Sequence, residues 1–441
     1  MRASRCPGIG AALLIGSALA GAAQGQPRAD PGGRQCDAAA AGISLPSGFC
    51  ATLFADLVGV ARHLVAAPNG DVYVSLGDVA SSVTQIGRLR PDRSSPAILA
   101  LRDTDRDGRA DLEVRTARPN TATGMAFRGD TLYVAARTAI ERYQVRSDAF
   151  GILGTPDTIV AGLPEGGHNS KSLALGAGDD LYVSVGSYSN ACRASRNEGA
   201  PDPCPELAVR AGIWRYSAQR IGQRHPADGE RWATGVRNGL GLYWHAGLKA
   251  LFGTSHGRDG LATIFPRVYT IEQNADTPSE EFFRVDLGSD VGWPYCFHDR
   301  GKGKKVLAPE YGGDGSTVGR CAGKTEPLVG FPGHWAPNAM TFYTGTMFPT
   351  RYRDGAFIAF HGSWNRQPLP EDGYVVVFQP MRAGRPTGPF EVFADGFAEG
   401  DKEPVRAAHR PTGLAQGPDG ALLVSDDQRG RIWRVVYRSG S

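Results

Sequence analysis

The stretch 168–187, HNSKSLALGAGDDLYVSVGS, opens on two polar groups, runs through a short alternating apolar segment, turns on Gly-Asp-Asp and returns through Leu-Tyr-Val-Ser-Val. Alternation at period two on both sides of a turn is the pattern of a β-hairpin with one packed face. The same unit recurs at 62–78, 124–137, 237–257, 337–363 and 410–427, each with a polar or glycine start and a second strand ending in small or polar residues. Six similar hairpins at irregular intervals predict an all-β fold, a six-bladed β-propeller with loop insertions. A two-sheet sandwich competes, but it gives six hairpins no reason to be alike. IWRYS (213–217) and IWRVVY (432–437) read as outer strands, and the Pro-, Gly- and Cys-rich segments 188–210 and 296–336 read as insertions on one face, held by disulfides.

Composition agrees. The chain has 441 residues with 59 glycines, 30 prolines and only 5 methionines, a turn-rich make-up with few long helices. A net charge of +3, evenly spread, points to neither a nucleic-acid nor a membrane-surface partner. Residues 1–26, with two arginines, a short apolar stretch and alanine-rich cleavage candidates, read as a signal peptide. The expectation is therefore a single propeller domain over 27–441, periplasmic or secreted, with no membrane span. Six cysteines remain after the leader, and local pairs 36–50, 192–204 and 296–321 are the simplest connectivity, free thiols being the alternative. No C-x-x-C-H occurs, so covalent haem is not expected.

The polar hairpin starts carry the functional argument. In a propeller the residues before each innermost strand crowd around one axis. Here they are Arg62 and His63, His168 and Asn169, Arg237 and Asn238, Pro337 and Asn338, and Arg410. Three arginines at one mouth repel unless an anion sits among them, which predicts a multiply anionic ligand; each alone would more simply tie down a loop carbonyl. His168, flanked by Gly166 and Gly167, is a candidate general base.

With these stretches, and with ATGVRNGLGLYWH, VGWPYC, APNAMTFYTGTMFPTRYRDGAFIAFHGSWNR and RPTGLAQGPDGALLVSDDQRGRIWRV, the chain from about 45 to 438 resembles the soluble PQQ-dependent glucose and sorbosone dehydrogenase family, in its sorbosone-dehydrogenase-like branch. The resemblance implies pyrroloquinoline quinone (PQQ), a tricarboxylate, with Ca2+ at the quinone. It implies His168 as the residue that takes the hydroxyl proton, Arg237 and Asn238 near the quinone, and Arg410 on a cofactor carboxylate. Asn169, Trp364 and Arg366 fall in the cofactor environment, and the backbone carbonyls of Gly257 and Arg258 match the calcium ligands. Arg62, His63 and His334 are expected on the substrate side, with His256 and His361 at loop ends nearby. Three positions depart from the glucose-oxidising pattern: Gly167 stands where an Asp precedes the histidine, Arg258 replaces a proline, and Ala408 replaces an arginine.

A second metal motif is independent of the resemblance. In RDTDRDGRADLE (102–113), Asp103, Asp105, Asp107 and Asp111 alternate around Gly108, as in a calcium loop without its usual final glutamate. The functional expectation is a quinoprotein oxidising a sugar, sugar aldehyde or polyol and passing electrons to a separate acceptor, a cytochrome or a quinone. The alternatives are a calcium-dependent propeller hydrolase of lactonase type, disfavoured by arginines where that chemistry needs converging carboxylates and amides, and a non-catalytic binding propeller.

Overall fold

The hairpin in 168–187 forms as its pattern predicts: strands Lys171–Leu175 and Asp180–Val185 pair antiparallel, Lys171 opposite Val185 and Leu175 opposite Leu181. Beyond the paired strands, and one residue out of their register, the His168 N–H donates to the Ser187 carbonyl at 2.9 Å. This ties the first residue of the motif to the last. The computed structural model describes residues 42–77, 95–118, 121–145, 150–193, 199–363, 365–367, 369–404 and 406–438. The chain divides into the units Met1–Arg34 and Gln35–Ser441, and the propeller lies in the second. The leader 1–26, Cys36 and Trp364 fall outside the described residues.

Six such hairpins each start a sheet of four or more strands. Blade 1 is Ala61–Ala66, Val72–Leu76, Ala97–Arg102 and Leu112–Ala117; blade 2 is Thr121–Arg128, Thr131–Ala136, Ala139–Gln144 and Leu153–Ala161. Blade 3 adds Gly212–Ser217 and Glu230–Thr234 to the hairpin above. Blade 4 is Leu242–His245, Ala250–Ser255, Glu280–Val285 and Val329–Phe331, and blade 5 is Pro337–Phe342, Ala356–Phe360, Val375–Gln379 and Glu391–Ala394. Blade 6 takes Pro411–Gln416, Leu422–Asp426 and Ile432–Tyr437 from the C-terminal end and its fourth strand, Phe49–Ala55, from the other end of the propeller. That last pairing closes the ring, Thr52 opposite Arg434.

The hydrophobic core follows from this geometry. Each blade is buried on both faces, and among the described residues the six largest groups in the blades lie one at each interface between neighbouring blades, with smaller clusters under the insertions and loops. The interface of blades 5 and 6 is the most aromatic, with Phe348, Tyr352, Phe357 and Phe393 packed around Phe49 at centroid distances of 4.8 to 5.2 Å where they meet it. Neighbouring inner strands approach closely: a Cβ on Gly124 of blade 2 would come within 2.6 Å of the Lys171 carbonyl of blade 3, so only glycine lets these two strands approach. The six inner strands enclose a channel of about 430 Å³ running from His63 and Ser172 to Trp244, Thr344 and Gln416. Disulfides Cys192–Cys204 and Cys296–Cys321 staple the two insertions, as expected. Cys50 is also disulfide-bonded, with a partner outside the described residues.

Candidate active site

His168 stands at the start of the blade 3 hairpin, and its proton is located by its partners. Its Nδ1 lies 2.9 Å from Ser187 Oγ and 3.1 Å from the Ser187 carbonyl. The serine hydroxyl already donates to the Ser189 carbonyl at 2.7 Å, so toward the imidazole it accepts. Nδ1 therefore carries the hydrogen and Nε2 carries the lone pair. Burial, then the neighbouring Arg237, lowers the His168 pKa to about 3, so the ring is neutral at ordinary pH. The preceding loop is held by two cations. Lys171 Nζ donates to the Pro164 and Asn169 carbonyls, both at 2.8 Å, and to Asn169 Oδ1 at 3.1 Å, while Arg210 donates to the Glu165 and Gly166 carbonyls. Gly166 and Gly167 sit at φ 80° and 62°, and a Cβ on Gly167 would come within 2.5 Å of Tyr188 Cα. No aspartate fits at 167, which is the physical reason for that departure.

The charge distribution differs from a bare arginine ring. Arg237 Nη2 pairs with Asp259 Oδ2 at 2.6 Å and also donates to Asn190 Oδ1 at 3.0 Å, while Nη1 donates to the Gly257 carbonyl at 2.7 Å. Asp259 Oδ1 accepts from Asn365 Nδ2 at 2.9 Å and faces His334 Nδ1 at 3.2 Å. Although burial opposes ionisation, Arg237 and His334 hold the Asp259 carboxyl well below its usual range. Its side chain is 32% accessible, so the carboxylate lines an opening among these groups. Across the mouth, Asp427 pairs with Arg62 Nη1 at 2.6 Å and with His361 Nε2 at 2.8 Å. Burial opposes its ionisation too, and His361 and Arg62 override it. Arg410 donates to the carbonyls of His361 at 3.0 Å and Gly362 at 2.6 Å. Sequence reading missed Asp259, Asp427 and the hub Asn190. Both aspartates follow the second strand of their hairpins, in TSHGRD and VSDD, where polar endings were the available signal.

Several expected residues are placed otherwise. His334 is 3% exposed; Nε2 donates to the Asn274 carbonyl at 2.8 Å and Nδ1 meets Asp259, so both nitrogens face acceptors. Burial opposes this imidazolium, but Asp259 wins and the pKa is raised. It supports Asp259. His63 is turned to the Asn338 carbonyl at 2.7 Å and burial lowers its pKa to about 4, so it belongs to the channel wall. Arg366 Nη1 donates to the carbonyls of Ala275 at 2.8 Å and Gly333 at 2.9 Å and clamps two loops. The Arg258 side chain leaves the mouth for Glu310, at 2.6 and 2.9 Å. Asn238 Nδ2 donates to His256 Nδ1 at 3.2 Å, beside Arg237 as expected.

The residues fit a polar ligand, while the pairing of Arg62 with Asp427 and of Arg237 with Asp259 removes the excess positive charge from which a multiply anionic one was expected. Buried His256 Nε2, Asn338 Oδ1 and Gln428 Nε2, from three blades, have no hydrogen-bond partner, the state of groups a bound polar molecule completes. For a cation at the Gly257 carbonyl the fit is poorer. Arg237 already engages that oxygen and Asp259, so a metal there would sit against a guanidinium. The acidic loop is the better donor set: carboxylate oxygens of Asp103, Asp105 and Asp107 lie within 4.8 Å of one another. Asp111 is not among them; its carboxylate accepts from the Thr104 N–H at 2.9 Å and from the Thr104 hydroxyl. The loop backs onto the closing strand, with the Ala110 N–H donating to the Phe54 carbonyl at 2.8 Å. Among the described residues no helix is long and apolar enough to cross a membrane.

Known proteins resemble this arrangement at several levels. The holo PQQ domain of pyranose dehydrogenase from Coprinopsis cinerea superposes with a TM-score of 0.69 at 17% identity, covering 89% of this chain and 97% of that one. The calcium structure of the Trichoderma reesei Carbohydrate-Active Enzymes Family AA12 protein gives 0.70 at 18% identity, covering 90% and 97%. At these identities the likeness is one of fold. An uncharacterized protein of Borreliella burgdorferi is 31% identical over 208 residues, 46% of this chain and 48% of that protein, so the match spans about half of this relative's length. A family model described as TrAA12-like matches residues 44–438 without a break. The chain belongs to the TrAA12-like family.

Proposed function

We propose that this protein is a periplasmic or secreted oxidoreductase that oxidises a sugar, sugar aldehyde or related polyol with PQQ. The observation that carries the reading is the fixed tautomer of His168, a neutral imidazole whose Nδ1–H is spent on Ser187 and whose Nε2 is left as a base. The solved relatives add support, since one is a PQQ domain of a pyranose dehydrogenase and another carries calcium. When bound, PQQ supplies a two-electron acceptor for hydride. His168 Nε2 removes the hydroxyl or hydrate proton as the adjacent C–H bond gives up its hydride, so one proton and one hydride leave the substrate together. Arg237 and Asn238 would lie toward the quinone, Arg410 and Arg366 toward the carboxylates through the loops they hold, and Asn169 beside the base. Calcium is assigned to the loop Asp103, Asp105 and Asp107 as a structural ion. Reduced cofactor would hand its electrons to a separate cytochrome or quinone. The test is reconstitution with PQQ and calcium, followed by dye reduction across aldoses, aldehydes and polyols. Absence of turnover with every member, or failure of PQQ to bind, would overturn the reading; acid release from a lactone without dye would replace it by the hydrolase.

A further inference from the structure

Lys171, the first residue of the blade 3 inner strand, is 0% exposed. A lysine is almost never fully buried without a carboxylate beside it, because the desolvated ammonium is costly. Here the N–H groups of Nζ go to neutral oxygens instead, those of the Pro164 carbonyl, the Asn169 carbonyl and the Asn169 side chain, and among the described residues no carboxylate forms an ion pair with it. The return on that cost lies in what the three hydrogens hold.

They hold the loop of the base. Pro164 and Asn169 flank Glu165, Gly166, Gly167 and His168, and one nitrogen ties the two ends of that segment together. Arg210 grips its middle, at the Glu165 and Gly166 carbonyls, but neither end. The two glycines, at φ 80° and 62°, leave the segment little stiffness of its own. Nor does the β-ladder enforce the contact of His168 with Ser187, which lies beyond the paired residues and out of their register. Closing the loop is what delivers His168 to Ser187. A neutral amine cannot close it as well: it has two hydrogens for three oxygens, and its lone pair would face the third. The charged and titratable groups around Nζ are Arg210, Glu165 in the loop and Arg137 of blade 2, with His225 beyond them, kept toward its neutral form by burial. Burial first, then Arg210, lowers the Lys171 pKa to about 7, with Glu165 opposing.

We propose that Lys171 is a positioning residue for the base: its ammonium closes the loop that seats His168 against Ser187, and the reaction runs at full rate only while that ammonium keeps its third hydrogen. This deepens the oxidoreductase reading and rests on it for turnover alone. The first measurement uses the protein free of PQQ and follows carbon-13 shifts of Lys171 Cε and nitrogen-15 shifts of His168 from pH 5 to 10. His168, with a pKa of about 3, does not itself titrate there, yet its signals should move with the midpoint of Lys171 and lose that step in Lys171→Met. In the reconstituted enzyme wild-type kcat should fall about tenfold between pH 6 and 9 with KM little changed. Lys171→Met should be about tenfold slow at pH 6, flat across the range, and equal to wild type at pH 9. If that variant does not fold, the shared midpoint in the wild type decides. His168 signals that ignore the titration of Lys171, or a Lys171→Met enzyme as fast as wild type at pH 6, overturn the proposal. Coupled titrations in a protein that oxidises nothing would uphold it and sink the redox assignment alone.

Discussion

Acid should unfold this protein unusually early. Five histidines, His63, His168, His256, His298 and His361, have pKa values lowered to about 3 or 4, in each case first by burial. An unfolded chain binds a proton on each of them below about pH 6.5, whereas the folded one binds none until pH 3 to 4. Their stability contribution is therefore complete above pH 6.5 and is lost as pH falls. Glu280 works in the opposite direction: burial first raises its pKa to about 7, so the folded state holds an extra proton between about pH 4.5 and 7. His334, also raised, adds slightly to that opposition. Near pH 5.5 these seven groups alone take up about three and a half protons on unfolding, a slope of about 5 kcal/mol per pH unit; His225, lowered by burial, adds to it, and Glu281 and Glu371, raised by burial, subtract from it. Against a total stability of about 5–15 kcal/mol, that is enough to unfold the domain within one to three units below pH 6. Urea unfolding between pH 5 and 7 measures the slope directly. His63→Gln, whose amide can still reach the Asn338 carbonyl, should reduce it by about 1.2 kcal/mol per unit. A wild-type slope below about 1.4 kcal/mol per unit, one proton's worth, would refute the reasoning.

Other outcomes follow from the site. His168→Gln should lower kcat by about 10²–10⁴-fold and leave PQQ uptake, read by absorbance, intact. Ser187→Ala leaves the backbone carbonyl, an acceptor only, at 3.1 Å from Nδ1; nitrogen-15 shifts of His168 should still report the Nδ1–H tautomer, and kcat should fall by less than about tenfold. Asp259→Asn removes the partner of Arg237 and His334, and urea unfolding at pH 7 should show a loss of about 3 kcal/mol. Calcium at a hundredfold excess over its dissociation constant should stabilise the protein by about 2.7 kcal/mol, and Asp105→Asn should abolish that increment.

The fold was legible because the hairpin pattern is local and repeated: alternation, turn and polar ending each lie within about twenty residues. The mouth was only partly so. His168, Arg237 and Arg410 announced themselves as polar groups at strand starts, where nothing in an amphipathic pattern demands them. Asp259 and Asp427 did not, because a polar residue after a strand is ordinary turn chemistry until the tertiary fold aims it at an arginine. The distinction between a carbonyl free for calcium and one engaged by Arg237 likewise depends on side-chain direction, which spacing does not encode. Ser187 was not legible either: the register that places Lys171 opposite Val185 would carry His168 opposite Tyr188, and the contact with Ser187 comes from a one-residue departure beyond the paired strands.

The seam of blade 6 has a consequence for how the molecule comes into being. Thr52 and Arg434 are 382 positions apart, and bringing such distant segments together costs about 5 kcal/mol of chain entropy before their strand contacts repay it. The circle is thus completed last, and until then an arc of blades presents two raw apolar flanks. Cutting the chain within any outer loop and joining the present ends would move the weak join elsewhere while preserving every blade, so circular permutants should fold at rates set by where the new gap falls.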